Sequence, residues 1–195
     1  MKPELWWLLA PIWRLLPAAF AAAAIACAGL VIVRIRRGTP RSEAILGAAL
    51  DVGVGAAIVS VLLLTLAQSG SQGRTLVLVP FAELRESFGS PDPVTLLVGN
   101  VLMFIPLGFL APLRWRSFDS VSRAILASAA FSVGIELLQW VFPTGRQASI
   151  TDVITNTAGG VIGYGALCGL RSIARRRAGR RHWRIAVNKG SGHAS

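Results

Sequence analysis

Glu136 interrupts the apolar run Val121–Phe142, and Asp152 interrupts the run Ile150–Leu170. Amides accompany them at Asn100, Gln139 and Asn156, and one guanidinium, Arg146, lies between the two carboxylates in sequence. An ionisable side chain inside a bilayer is costly, so by default it marks a site that pairs, binds or moves a proton. Carboxylate, guanidinium and amide together suit a polar headgroup, and a carboxylate beside a cation can also serve as a general base. The spacing assigns these groups to faces. Ser128, Ser132, Glu136 and Gln139 follow one another at steps of four, four and three, which is one side of a helix. Asp152 and Asn156 are four apart, and Gly159 and Gly163 continue that side with residues small enough for close helix approach.

The elements that carry these residues follow from composition and hydropathy. Of the 195 residues, 53% are hydrophobic and only 15% charged, with a mean hydropathy of +0.59. Soluble domains carry about 25% charge, so a soluble globular protein is excluded, and so much apolar content excludes a disordered chain. Five stretches approach the ~20 apolar residues that a spanning helix needs. They run over about Leu15–Val33, Ala44–Ala67, Leu96–Leu113, Val121–Phe142 and Ile150–Leu170. The fold class expected is all-α, a polytopic transmembrane helical bundle of about five spans. The first stretch reads as a span rather than a cleaved leader, because Arg34, Arg36, Arg37 and Arg41 follow it as a stop-transfer signal. Asp51 in the second stretch reads as a snorkelling or a stapling residue.

Charge sets the expected orientation. The chain carries +11, and fifteen of its 20 Lys and Arg fall in the links after the first and third stretches and in the segment after the fifth. The positive-inside rule then puts the N-terminus outside and the C-terminus in the cytoplasm. Asn100, Glu136, Gln139, Arg146, Asp152 and Asn156 all come out near the outer leaflet. Three regions are expected: 1–43, a transmembrane helix with a basic cytoplasmic link; 44–170, the bundle; and 171–195, a basic, disordered tail held against anionic lipid. No nucleic-acid partner is expected, and the oligomeric state is open. Cys27 and Cys168 lie in apolar runs as small hydrophobes. His182 and His193 both fall in the basic tail, so neither a histidine-based metal site nor a triad is indicated, and no metal or cofactor is expected.

Four blocks occur in a recognisable order: Leu78-Val79-Pro80-Phe81, NVLMFIPLG from Asn100 to Gly108, ELLQ from Glu136 to Gln139, and RQASITDVITNTAGGVIG from Arg146 to Gly163. Over about Leu76–Gly165 the chain resembles the VanZ-like family of small bacterial membrane proteins. One departure is Ser149, where members often carry a further acid shortly after the arginine. The resemblance implies a bacterial plasma-membrane protein of the cell envelope. It also implies an association with resistance to teicoplanin-type glycopeptides, for which the family's namesake is known.

The function expected on these grounds is that of a non-enzymatic envelope protein with an outer-leaflet polar pocket. The pocket would bind an amphiphile or a lipid-linked precursor, with Asn100, Glu136, Gln139, Arg146, Asp152 and Asn156 as its polar group. Two alternatives stay open. One is a membrane-embedded lipid hydrolase or transferase, with Glu136 or Asp152 as base and Arg146 as anion clamp. The other is a transporter or flippase subunit that uses the intramembrane carboxylates as a relay. A polar staple that fixes helix register is the structural alternative to a binding site.

Overall fold

The computed structural model describes the backbone of residues 4–66, 76–82, 93–141 and 148–191, with side chains over 17–65, 76–82, 94–141 and 148–179. Among the described residues five α-helices are formed: α1 (Glu4–Arg36), α2 (Arg41–Leu66), α3 (Pro93–Arg114), α4 (Val121–Val141) and α5 (Ile150–Ser191). Each contains a window long and apolar enough to cross a bilayer. Hydrocarbon offers no partner for a free N–H or C=O, so such segments must satisfy their backbone internally as helices. The chain is a multi-pass membrane protein, as the hydropathy pattern predicts. It divides into two compact units, Met1–Leu64 and Thr65–Ser195.

In the first unit α1 ends at a glycine turn. Gly38 takes φ +85°, and the Gly38 and Thr39 amides return to the Ile35 and Arg34 carbonyls at 3.0 Å each, closing the helix end as a left-handed cap does. The Arg34 guanidinium lies over Gly47, in space that a Cβ there would occupy, and pairs with Asp51. Of the two readings open for Asp51, the structure selects the staple: it ties α1 to α2.

In the second unit α5 is the centre, and its most extensive contact is with α3. A Cβ at Gly159 or Gly163 would run into the Val101 or Ile105 carbonyl of α3, and one at Gly108 would strike the Gly160 carbonyl. The two helices thus meet backbone to backbone, the arrangement small residues permit in membranes. Fully buried Phe104 of α3 packs on Phe131 of α4, with ring centroids 5.7 Å apart. On α4, Ser128, Ser132, Glu136 and Gln139 are buried while Leu126, Val133 and Leu137 are exposed. Polar groups face helices and apolar groups face outward, the reverse of a water-soluble helix.

Two features depart from the sequence expectation. First, β1 (Leu76–Val77) pairs in parallel with β2 (Ala148–Ser149), Leu76 opposite Ala148 and Val77 opposite Ser149. This clips the link after α2 to the start of α5. Second, the segment from Arg171 was expected to be irregular, yet α5 continues unbroken through Ser191. Arg and Ala are strong helix formers, and extending a helix already anchored in the bundle needs no new nucleus. Its 42 residues span ~63 Å, twice the ~30 Å hydrocarbon core, so the arginine-rich half extends beyond the spanning part.

Candidate functional site

The site is built around the first turn of α5. Ser149-Ile150-Thr151-Asp152 has the spacing of a helix-capping box, an acid three residues after a serine. The Ser149 hydroxyl does cap: it accepts the Thr151 amide at 3.1 Å. The reciprocal half of the box is rewired. The Ser149 amide donates to Glu136 Oε2 at 2.8 Å, so a carboxylate from α4 takes the place that the acid of the box would fill. Glu136 is 8% exposed. It accepts from one of the amides at a helix N-terminus, where the aligned peptide dipoles favour negative charge. Ser149, where the resemblance leads one to expect an acid, is therefore the residue through which Glu136 reaches α5.

Asp152, in the first turn of α5, accepts from Asn100 Nδ2 of α3 at 2.6 Å. Four residues on, Asn156 Nδ2 donates to Ser132 Oγ on α4 at 2.8 Å. Gln139 Nε2 donates to the Thr65 carbonyl at 2.9 Å. The structure thus resolves the expected cluster into defined links: Asn100 with Asp152, Glu136 with the Ser149 backbone, Asn156 with Ser132, and Gln139 with Thr65. Arg146 lies outside the described residues. Replacing Asn100 with leucine is expected to cost about 2 kcal/mol, the range for a hydrogen bond to a charged group. Thermal unfolding of the purified protein in detergent would measure it, with a neutral result assigning Asp152 a sufficient set of other partners.

Four participants were not picked out from sequence: Ser149, Thr151, Thr65 and the backbone of Phe81. Thr151 accepts the Phe81 amide on its hydroxyl at 2.9 Å. Phe81 sits at φ +59°, a left-handed conformation that costs a non-glycine residue about 1–3 kcal/mol. The tie to Thr151 is one of the contacts holding it there. The capping-box spacing could have revealed Ser149. No local signal marks Thr65 or the Phe81 amide, because both join through the backbone.

Beside Glu136 runs a cleft of about 340 Å³ between α4, the start of α5 and the β1 segment. Leu76, Leu78, Val133, Leu137, Trp140 and Val153 form its walls, with Glu136 and Ser149 also on its lining. Most of these wall residues are exposed, so the cleft opens where lipid would lie. An apolar trough with Glu136 buried behind its wall offers a long apolar chain a surface.

Comparison with known proteins bears on the same region. A family model described as VanZ/LLP1 matches residues 53–171, which includes α3, α4, the first half of α5 and every residue of the site. The chain is also 34% identical over 67 residues to Protein VanZ of Enterococcus faecium, an alignment covering 34% of this chain and 40% of that protein's length. No solved structure matches.

Proposed function

This chain belongs to the VanZ/LLP1 family, and from that premise and the geometry of α4 and α5 we propose that it is an amphiphile-binding protein of the bacterial plasma membrane. The apolar tail of the ligand lies in the cleft lined by Val133, Leu137, Trp140 and Val153. Its polar part meets the carboxylates of Glu136 and Asp152, with Asn100 orienting Asp152, and with Gln139, Asn156 and Arg146 as further members of the polar group. The observation that carries this reading is the juxtaposition of an open apolar cleft with Glu136 held at the N-terminus of α5. The concentration of Lys and Arg at the other ends of the spans supports an outer-leaflet location for the cleft. A lipid-linked envelope precursor or the acyl tail of a teicoplanin-type glycopeptide has the chemistry to fit, and the family resemblance supports a link to resistance against that drug class.

The test separates the cleft from the polar network. Val133 is exposed on the cleft wall, so Val133→Trp fills the trough without touching the buried bonds. Binding of a fluorescent acylated glycopeptide to the reconstituted protein should fall at least about tenfold in Val133→Trp, which is about 1.4 kcal/mol, with the melting temperature unchanged. Teicoplanin tolerance of a susceptible host expressing the protein should fall in parallel. Unchanged binding in Val133→Trp and in Glu136→Gln, both still folded, would sink the reading.

A further inference from the structure

A second recess lies at the other end of α5 and is chemically unlike the first. It has a volume of about 560 Å³ and is bounded by Asp119, Tyr164, Arg171, Ser172, Arg175 and Arg176. One wall is a single face of α5, since Tyr164, Arg171 and Arg175 recur at near-helical intervals. The other wall is the turn between α3 and α4, a short 3-10 helix at Arg116–Phe118 that ends on Asp119. Asp119 ties the two walls together. It accepts from Arg171 Nη1 at 2.7 Å and from the Tyr164 hydroxyl at 3.4 Å.

Charge in this recess does not balance. Three guanidinium groups face one carboxylate, and that carboxylate is engaged by Arg171. Neither Arg175 nor Arg176 has an acidic partner among the described residues. No Asp or Glu follows Asp152 in the sequence, so α5 brings none of its own. Two adjacent unneutralised guanidiniums in a recess present several N–H donors in planar forks, a geometry that suits the oxygens of a phosphate.

The depth of the recess identifies where such a phosphate would come from. Nineteen residues of helix separate Asp152 from Arg171, a rise of ~28 Å against a hydrocarbon thickness of ~30 Å. The recess therefore sits at headgroup level in the leaflet opposite the Glu136 and Asp152 network. Aromatic side chains at the same end agree: Trp115 is 39% exposed, carries the Arg114 guanidinium 5.4 Å above its ring and packs edge-on to Phe118, as interfacial belts do.

We propose that Arg175 and Arg176, with Arg171 fixed by Asp119, form a phosphate-binding site that takes the headgroup of an anionic phospholipid. It narrows the diffuse lipid contact expected of a basic tail to a formed recess at one place on α5. This site is independent of the amphiphile cleft, and either can fail without the other.

The experiment uses the full chain purified in detergent and offered phosphatidylglycerol or phosphatidylcholine, with bound lipid counted by native mass spectrometry. Phosphatidylglycerol should bind in preference to phosphatidylcholine, and Arg175→Ala/Arg176→Ala should lower its affinity about tenfold. Arg180→Ala/Arg181→Ala removes the same charge further along the chain and should lower it far less. Equal losses in the two double variants would overturn the proposal, because they would show attraction to a basic helix rather than a site. A parallel arm offers inorganic phosphate and glycerol 3-phosphate. Displacement of lipid at millimolar concentration would keep the phosphate chemistry but assign the site to soluble phosphates, whereas no displacement assigns it to lipid. No loss of either ligand in Arg175→Ala/Arg176→Ala would end it.

Discussion

A branched side chain at Gly159 or Gly163 is expected to break the second unit of this protein. Gly159→Val places a side chain where the Val101 carbonyl of α3 now lies, and Gly163→Val does the same at the Ile105 carbonyl. The obstructing atoms are backbone, so no rotamer change relieves the clash, and α3 and α5 must separate. Overpacking in a compliant core costs about 1–3 kcal/mol, and the upper end or more is expected here. The effect should spread, because separating α3 from α5 also pulls Asn100 away from Asp152. The measurement is thermal unfolding in detergent, supported by limited proteolysis. A sharp control exists two residues past Gly163. Gly165 has open space where its Cβ would be, and Gly165→Ala should stabilise the helix by up to about 1 kcal/mol. Should Gly159→Val melt like the parent protein, the backbone-to-backbone packing described above would be wrong.

Glu136→Leu is the second large effect. It removes the acceptor of the Ser149 amide and leaves that donor buried, since Ser149 is 4% exposed. Losing a charge-assisted bond and stranding a buried donor should together cost about 3 kcal/mol. The first turn of α5 and the β1–β2 pairing rest on the same two residues, Ala148 and Ser149, so protection of those amides from hydrogen exchange should fall first. Glu136→Gln keeps an acceptor oxygen and should cost about 1 kcal/mol while removing the charge that a ligand would meet. The contrast between the two variants separates support of the fold from contact with a ligand. If leucine and glutamine prove equally mild, the Ser149 amide has another acceptor and Glu136 is not its anchor.

Much of this arrangement is legible in the sequence. Residues of one helix stand at fixed angles to one another, so Ser128, Ser132, Glu136 and Gln139 had to share a side, and in a membrane that side had to turn away from lipid. All four are buried. The Gly159 and Gly163 stripe was legible for the same reason and proved to be the face that meets α3. The partners were not legible. Arg146 stands in sequence where it could pair with Glu136 or Asp152 and lies outside the described residues, while the described contacts of Glu136 include the backbone amide of Ser149 at the start of α5. Backbone groups are the same at every residue, so sequence carries no mark of which one a carboxylate will find. The extension of α5 past Arg171 was not legible, because the basic segment there carries no apolar stripe to mark a helix. A helix already nucleated within the bundle does not need such a stripe.

By itself, then, the sequence determined what depends on near neighbours along the chain: five apolar spans, the polar side of α4, and the small-residue seam of α5. Hydropathy and helical periodicity are local, and a bilayer leaves a long apolar segment no alternative to the helix. Tertiary structure alone decided the pairings across tens of residues: Asn100 with Asp152, Glu136 with the Ser149 amide, Leu76 with Ala148, and Asp119 with Arg171. Those depend on how helices cross and where the links return. Such non-local contacts are set by the packing of the whole unit, to which no single stretch of residues is sensitive.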